Sequence, residues 1–119
     1  MTFCNEHPVK AVRKNHFCEG CGKYVLIGEP AIRWTGIGED GFASAIYHPE
    51  CREAEVYMNR EASSFEWWPL GNHEEDDWPW LMEKFPAVAA RFNITPERYK
   101  EYQERYAATW STHSRKTEQ

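Results

Sequence analysis

Nowhere does this sequence approach 18 consecutive apolar residues, and its first stretch, Met1 through Lys14, has no apolar segment of the signal-peptide kind. The expectation is a soluble, cytoplasmic chain with neither membrane span nor leader. Excess basic charge is missing too: 14 Lys and Arg against 19 Asp and Glu leave a net charge of −5 and a pI near 5.5. A broad nucleic-acid or anionic-membrane footprint needs clustered cations, so only a local basic patch stays open. Also lacking are a Ser/His/Asp order, a phosphate-cradling glycine loop, a nuclease-type His-Asn constellation and any internal repeat. No enzyme and no small-molecule substrate is therefore expected. Cysteine is sparse at four residues. In a secreted chain four would pair as disulfides, whereas in a reducing compartment they are free to bind metal.

What the chain does have is a pattern in three of those cysteines. Cys18-Glu19-Gly20-Cys21 is followed, after residues 22 to 47, by His48-Pro49-Glu50-Cys51. Two ligand pairs, each with two residues between, can point at one ion from opposite sides. Three thiolates and one imidazole complete the tetrahedral shell of a Zn2+ ion and leave no position for substrate or activated water. The pattern predicts one structural zinc held by Cys18, Cys21, His48 and Cys51. At 119 residues, 41% hydrophobic and 15% aromatic, the chain is long enough for one ordinary domain and apolar enough to pack it.

Residues 1 to 13 are polar and unpatterned and are expected to form an arm. Residues 14 to 60 carry the metal motif. Gly22 follows the second thiol and permits a positive φ in a knuckle, and Lys23 to Leu26 is a short strand candidate. Pro30 to Thr35 and Phe42 to Tyr47 read as a hairpin, with Ile32 and Trp34 on one face and glycine-rich turn chemistry from Gly36 to Gly41. Pro49 to Arg60 has helix-compatible composition with proline in the first turn, which puts His48 and Cys51 at the helix start.

Knuckle, hairpin and helix in that order, with Gly28, Glu29, Arg33 and Tyr47 between and beside the ligands, resemble a treble-clef zinc finger of the Cys-x2-Cys…His-x2-Cys type. Such fingers are typified by the poly(ADP-ribose) polymerase DNA-break sensors and occur in small phage and bacterial proteins. The likeness covers about 40 of the 119 residues. LIM domains share the ligand order but continue with a second ligand set that this chain lacks. The resemblance implies a zinc that serves the fold, and it admits binding to DNA ends or single strands.

Residues 61 to 110 read as an aromatic-rich helical region. Phe65, Trp67, Trp68, Trp78 and Trp80 surround the acidic run Glu74-Glu75-Asp76-Asp77. Helical turns are expected over 79–85 and 86–92. Thr95-Pro96-Glu97 starts a final helix to about Trp110, with Tyr99, Tyr102, Tyr106 and Trp110 on one face. The stretch Val88 to Pro96 has the pattern of a helix-turn-helix corner, which the balanced charges of the second helix favour as packing. Residues 111 to 119 are expected to fray. The fold class is thus α+β: a zinc finger followed by a helical extension.

Six tryptophans, four of them between residues 67 and 80, are more than a small core easily hides. Tryptophan is enriched in interface hot spots. The leading expectation is a protein-protein interaction module, in a phage or bacterial regulator or inhibitor, with Trp67, Trp68, Trp78 and Trp80 as anchors. Glu74, Glu75, Asp76 and Asp77 would steer the partner. A second expectation is a nucleic-acid-binding finger using Lys10, Arg13, Lys14, Lys23 and Arg33 on phosphates and Trp34 or Phe42 for stacking. A distant third is a metal-dependent hydrolase built on Glu74 to Asp77. Cys4, His7 and His16 are spare ligands that a four-coordinate site does not need.

Overall fold

The computed structural model describes residues 3–38, 41–62 and 66–117, with side chains over 5–37, 41–62 and 66–108. It divides into two compact units, one ending at His73 and the other starting at Glu74. Among the described residues there are five strands, four α-helices and two 3-10 turns, an α+β composition with antiparallel sheets. No helix among them is long and apolar enough to cross a membrane.

In the first unit β1 (Phe3–Val9), β4 (Ala31–Gly38) and β5 (Gly41–Tyr47) form an antiparallel sheet in the order β1-β4-β5. Residues 3–9 are therefore a strand and not the expected arm. Asn5 to Pro8 are all exposed, so β1 lacks the alternation that marks a half-buried strand, and backbone pairing to β4 holds it, Phe3 opposite Ile37 and Val9 opposite Ala31. Proline at position 8 is tolerable because β1 is an edge. The β4–β5 pairing of the predicted hairpin is present, but the turn expected over Gly36 to Gly41 is shorter, because Gly36 to Gly38 and Gly41 are paired strand residues; residues 39 and 40 lie outside the described residues.

A second, two-stranded sheet pairs β2 (His16–Phe17) with β3 (Tyr24–Val25). Between them Gly22 takes φ +75°, a left-handed conformation that glycine adopts without steric cost. Then comes α1 (Pro49–Ala62), which buries Cys51, Ala54, Glu55 and Met58, a stripe at helical spacing. The core of this unit gathers at one end of the larger sheet, where Val12, Val25, Ala31, Ile46 and Leu70 are buried with that stripe. The far end of the β4–β5 hairpin, at Ile37 and Phe42, is exposed.

The unit does not stop at residue 60 as expected. Residues 66–73 fold back onto α1, because Glu55 accepts the Leu70 backbone N–H through Oε1 at 2.8 Å and Asn59 brackets the Trp68 backbone from both sides, at 2.7 and 2.9 Å. Leu70 opens a 3-10 turn, Leu70–Asn72, and is fully buried. Phe65, counted with the aromatic cluster, lies outside the described residues.

The second unit opens on the 3-10 turn Glu75–Asp77 and continues as α2 (Trp78–Lys84), α3 (Pro86–Arg91) and α4 (Pro96–Thr117). Trp78, Leu81, Val88, Ala89 and Ile94 are buried among its described residues, so the Val88 to Pro96 corner contributes Val88, Ala89 and Ile94 to the core and exposes Ala90, Asn93 and Pro96. Asn93 takes φ +57° where the chain leaves α3. Thr95 caps α4, its Oγ1 accepting the Arg98 N–H at 3.1 Å. Tyr99 and Tyr102 pack their rings 6.4 and 6.5 Å from that of Trp78. The backbone of α4 continues past the expected end at Trp110 to Thr117, since neither glycine nor proline follows to stop it.

Candidate metal centre

The two knuckle cysteines come from the β2–β3 turn and the other two ligands from the start of α1. The turn is closed by backbone bonds from Cys18 N–H to the Lys23 carbonyl and from Gly22 N–H to the Cys18 carbonyl, both 2.9 Å. Glu19 N–H donates to the Ile46 carbonyl at 2.9 Å, which docks the knuckle on β5 immediately before the His48 ligand. Gly20 makes this approach feasible. A Cβ there would lie 3.0 Å from the Cys51 Cβ and 3.2 Å from a Leu70 methyl, so any larger residue would force knuckle and helix apart.

The result brings the four predicted ligands together: the Sγ atoms of Cys18, Cys21 and Cys51 and a ring nitrogen of His48 lie within 4.8 Å of one another. His48 Nδ1 is 3.4 Å from Cys21 Sγ and 3.8 Å from Cys51 Sγ. A tetrahedral ion with bonds of about 2.3 Å to sulfur sets its ligands about 3.7 Å apart, so the cluster fits one metal ion. The other imidazole nitrogen, Nε2, is 3.1 Å from the Tyr24 carbonyl. A carbonyl only accepts, so Nε2 carries the proton and Nδ1 turns its lone pair toward the sulfurs.

Backbone donors prepare the thiols for negative charge. His48 N–H points at Cys18 Sγ at 3.3 Å and Lys23 N–H at Cys21 Sγ at 3.4 Å. The Cys18 thiol is held down to about 4, first by its hydrogen bond with Cys51 and then by backbone donors, against the opposing effect of burial. Burial pushes the Cys21 thiol up. Three cysteines and one histidine supply four donor atoms, the number that a tetrahedral ion takes.

The remaining sequence candidates scatter. Trp67 and Trp68 belong to the first unit and are 52% and 44% exposed. Trp78 and Trp80 belong to the second, where Trp78 is buried and Trp80 half-buried. Asp77 is engaged locally: its carboxylate accepts the Glu74 N–H and the Trp80 indole N–H, both at 2.9 Å. Glu74, Glu75 and Asp76 are exposed, and among the described residues no ion-sized ligand group forms from the acidic run. Lys10, Arg13, Lys14 and Lys23 are exposed. Arg33 and Trp34 are half-buried neighbours on β4 and so face opposite sides of the sheet, which prevents them from serving one surface. His7 and His16 do not join the metal group. The side chain of Cys4 lies outside the described residues.

Glu55 is the residue that sequence reading missed. Only 1% exposed, its carboxylate accepts from Tyr47 Oη (2.9 Å), Arg52 (2.8 Å), the Trp67 indole (3.1 Å) and Leu70 N–H. Arg52 lies 5.1 Å from both the Tyr47 and Trp67 ring centroids and also pairs with Glu6 on β1. The available signal was a glutamate within the apolar stripe of α1, three residues after an arginine. Comparison with protein-family models, curated proteins and solved structures returned no match, so what this chain does is argued from its own geometry.

Proposed function

We propose that the chain is a non-enzymatic zinc protein, that its first unit is a finger of treble-clef type, and that the fold serves recognition of a protein partner. The observation that carries the zinc reading is the convergence of Cys18, Cys21, His48 and Cys51, with the His48 tautomer set by the Tyr24 carbonyl. A shell of three cysteines and one histidine selects zinc among the common divalent ions, because thiolates favour it over magnesium or calcium. Such thiols also suit a reducing cytoplasm.

Elemental analysis of protein purified without added metal should find close to one zinc per chain. Cobalt exchanged into the site should give the intense visible absorption of a tetrahedral thiolate complex. Zinc far below one per chain, or occupancy unchanged in Cys51→Ser, would sink the assignment.

The partner reading rests on Trp67 and Trp68, which stay about half exposed while hydrogen bonds to Glu55 and Asn59 hold the segment in place. A large ring held in one position pays little entropy on binding. Trp68→Ala should lose the partner recovered from host lysate while keeping its melting temperature. Nuclease treatment of the lysate should not change that recovery.

A further inference from the structure

The β2–β3 knuckle carries an apolar surface that neither the metal nor the tryptophan segment uses. Phe17 and Tyr24 stack on each other, ring centroids 4.3 Å apart at 22°, yet Phe17 is 61% exposed and Tyr24 half exposed. Leu26 and Ile27, next along the chain, are exposed as well. A stacked, exposed ring pair on the hairpin, with two exposed aliphatic side chains within three residues of Tyr24, is more apolar surface than scattered hydrophobics give, and apolar surface of that kind marks a binding site. Its backbone is rigid: the hairpin is closed at the knuckle, and Ile27 N–H is held by Asn15 Oδ1 at 2.9 Å.

Charge indicates what the patch would take. Residues 10 to 27 hold four cations, Lys10, Arg13, Lys14 and Lys23, against the single carboxylate of Glu19, in a chain whose net charge is −5. All four cations are exposed, and Lys23 adjoins Tyr24. The next carboxylate, Glu29, is turned back onto the Leu26 N–H at 2.7 Å. The 12–15 stretch that carries Arg13 and Lys14 is bonded to residues 27 and 28, so exposed cations accompany the apolar side chains, a combination complementary to an acidic segment with apolar anchors. The aliphatic half of the patch, Leu26 and Ile27, offers no flat face to a nucleobase and suits Leu or Phe side chains.

We infer that the Phe17/Tyr24/Leu26/Ile27 face of the knuckle docks an acidic, apolar-anchored protein segment, separately from the tryptophan surface. The test uses full-length, zinc-loaded protein and fluorescence anisotropy. The probes are a labelled peptide of Glu, Asp, Leu and Phe, its counterpart with every acid replaced by Lys, and a labelled oligothymidylate. The acidic peptide should bind and the Lys counterpart should not. Phe17→Ser and Lys23→Glu should each weaken binding about tenfold or more, as loss of a hot-spot contact does. Phe42→Ser, at the equally exposed far end of the larger sheet, should leave binding unchanged. Zinc content reports folding of each variant, and Ile27→Ser, outside the knuckle turn, carries the test if Phe17→Ser loses metal. The inference is overturned by absence of acidic-peptide binding, by equal binding of the Lys peptide, or by equal loss in Phe42→Ser. Tighter binding of oligothymidylate, or self-association in sedimentation that Phe17→Ser abolishes, overturns it in favour of nucleic acid or a second copy.

Discussion

At Glu55 a buried carboxylate meets donors from Tyr47, Arg52, Trp67 and the Leu70 backbone. Removing one member of such a buried charged network costs up to about 3 to 5 kcal/mol; here Arg52 keeps Glu6, while the Tyr47, Trp67 and Leu70 donors lose their acceptor. Glu55→Ala should therefore lower the stability of the first unit by that order in chemical denaturation, and Glu55→Gln, which keeps the shape and part of the hydrogen bonding, by less. Gly20 offers a steric counterpart. With Cys51 Cβ at 3.0 Å from the position a methyl would occupy, Gly20→Ala should push the knuckle off α1. The check is zinc affinity by competition with a chromophoric chelator, where the variant should be weaker than the parent although all four ligands remain. Both residues act without touching an ion.

Among the elements, α4 depends on a visible local signal and β1 on none. Thr95 caps α4 through the Arg98 N–H, and loss of such a cap costs about 1 kcal/mol. Thr95→Ala should thus lower thermal stability of the second unit modestly, with Thr95→Ser close to the parent. Asn59 performs a tertiary version of the same task by bracketing Trp68. In Asn59→Ala the 66–68 stretch should become more sensitive to limited proteolysis while α1 keeps its helicity. If the digestion pattern does not change, the bracket is not what holds the tryptophan segment.

For the whole molecule, the division into two units after His73 sets what metal removal does. Zinc binding contributes folding free energy on the order of 10 kcal/mol in finger peptides. Chelation should unfold the first unit and leave the helical circular dichroism of α2 to α4 largely intact. Complete loss of helical signal would show one cooperative domain instead. Acid should act on the same unit. Because the Cys18 thiol is held down to about 4 from an ordinary value near 9, this group binds fewer protons folded than unfolded between those values and contributes stability that rises with pH there, opposed by the Cys21 thiol, which burial pushes up. The contribution is complete above the ordinary thiol value and is lost as pH falls through about 4. Metal release followed by cobalt absorption should track that direction.

The sequence by itself determined the four-residue Cys and His cluster, the β4–β5 pairing, the start of α1 at Pro49 and the cap at Thr95. Each rests on residues close together along the chain: two thiols on one turn, a histidine and cysteine at a helix start, alternating strands about glycines, a threonine before a proline. Only the tertiary structure decided that residues 3–9 are a strand, that residues 66–73 belong with the first unit, and that the tryptophans divide between two units. β1 has exposed side chains over residues 5–8 and is held by backbone pairing to a strand more than twenty residues away, which leaves no period in its own residues. The position of Glu55 in the apolar stripe of α1 was visible, but its partners, Tyr47 at the end of β5, Arg52 on α1 itself and Trp67 and Leu70 from the 66–73 segment, meet only in the fold, and that convergence is a property of packing rather than of pattern.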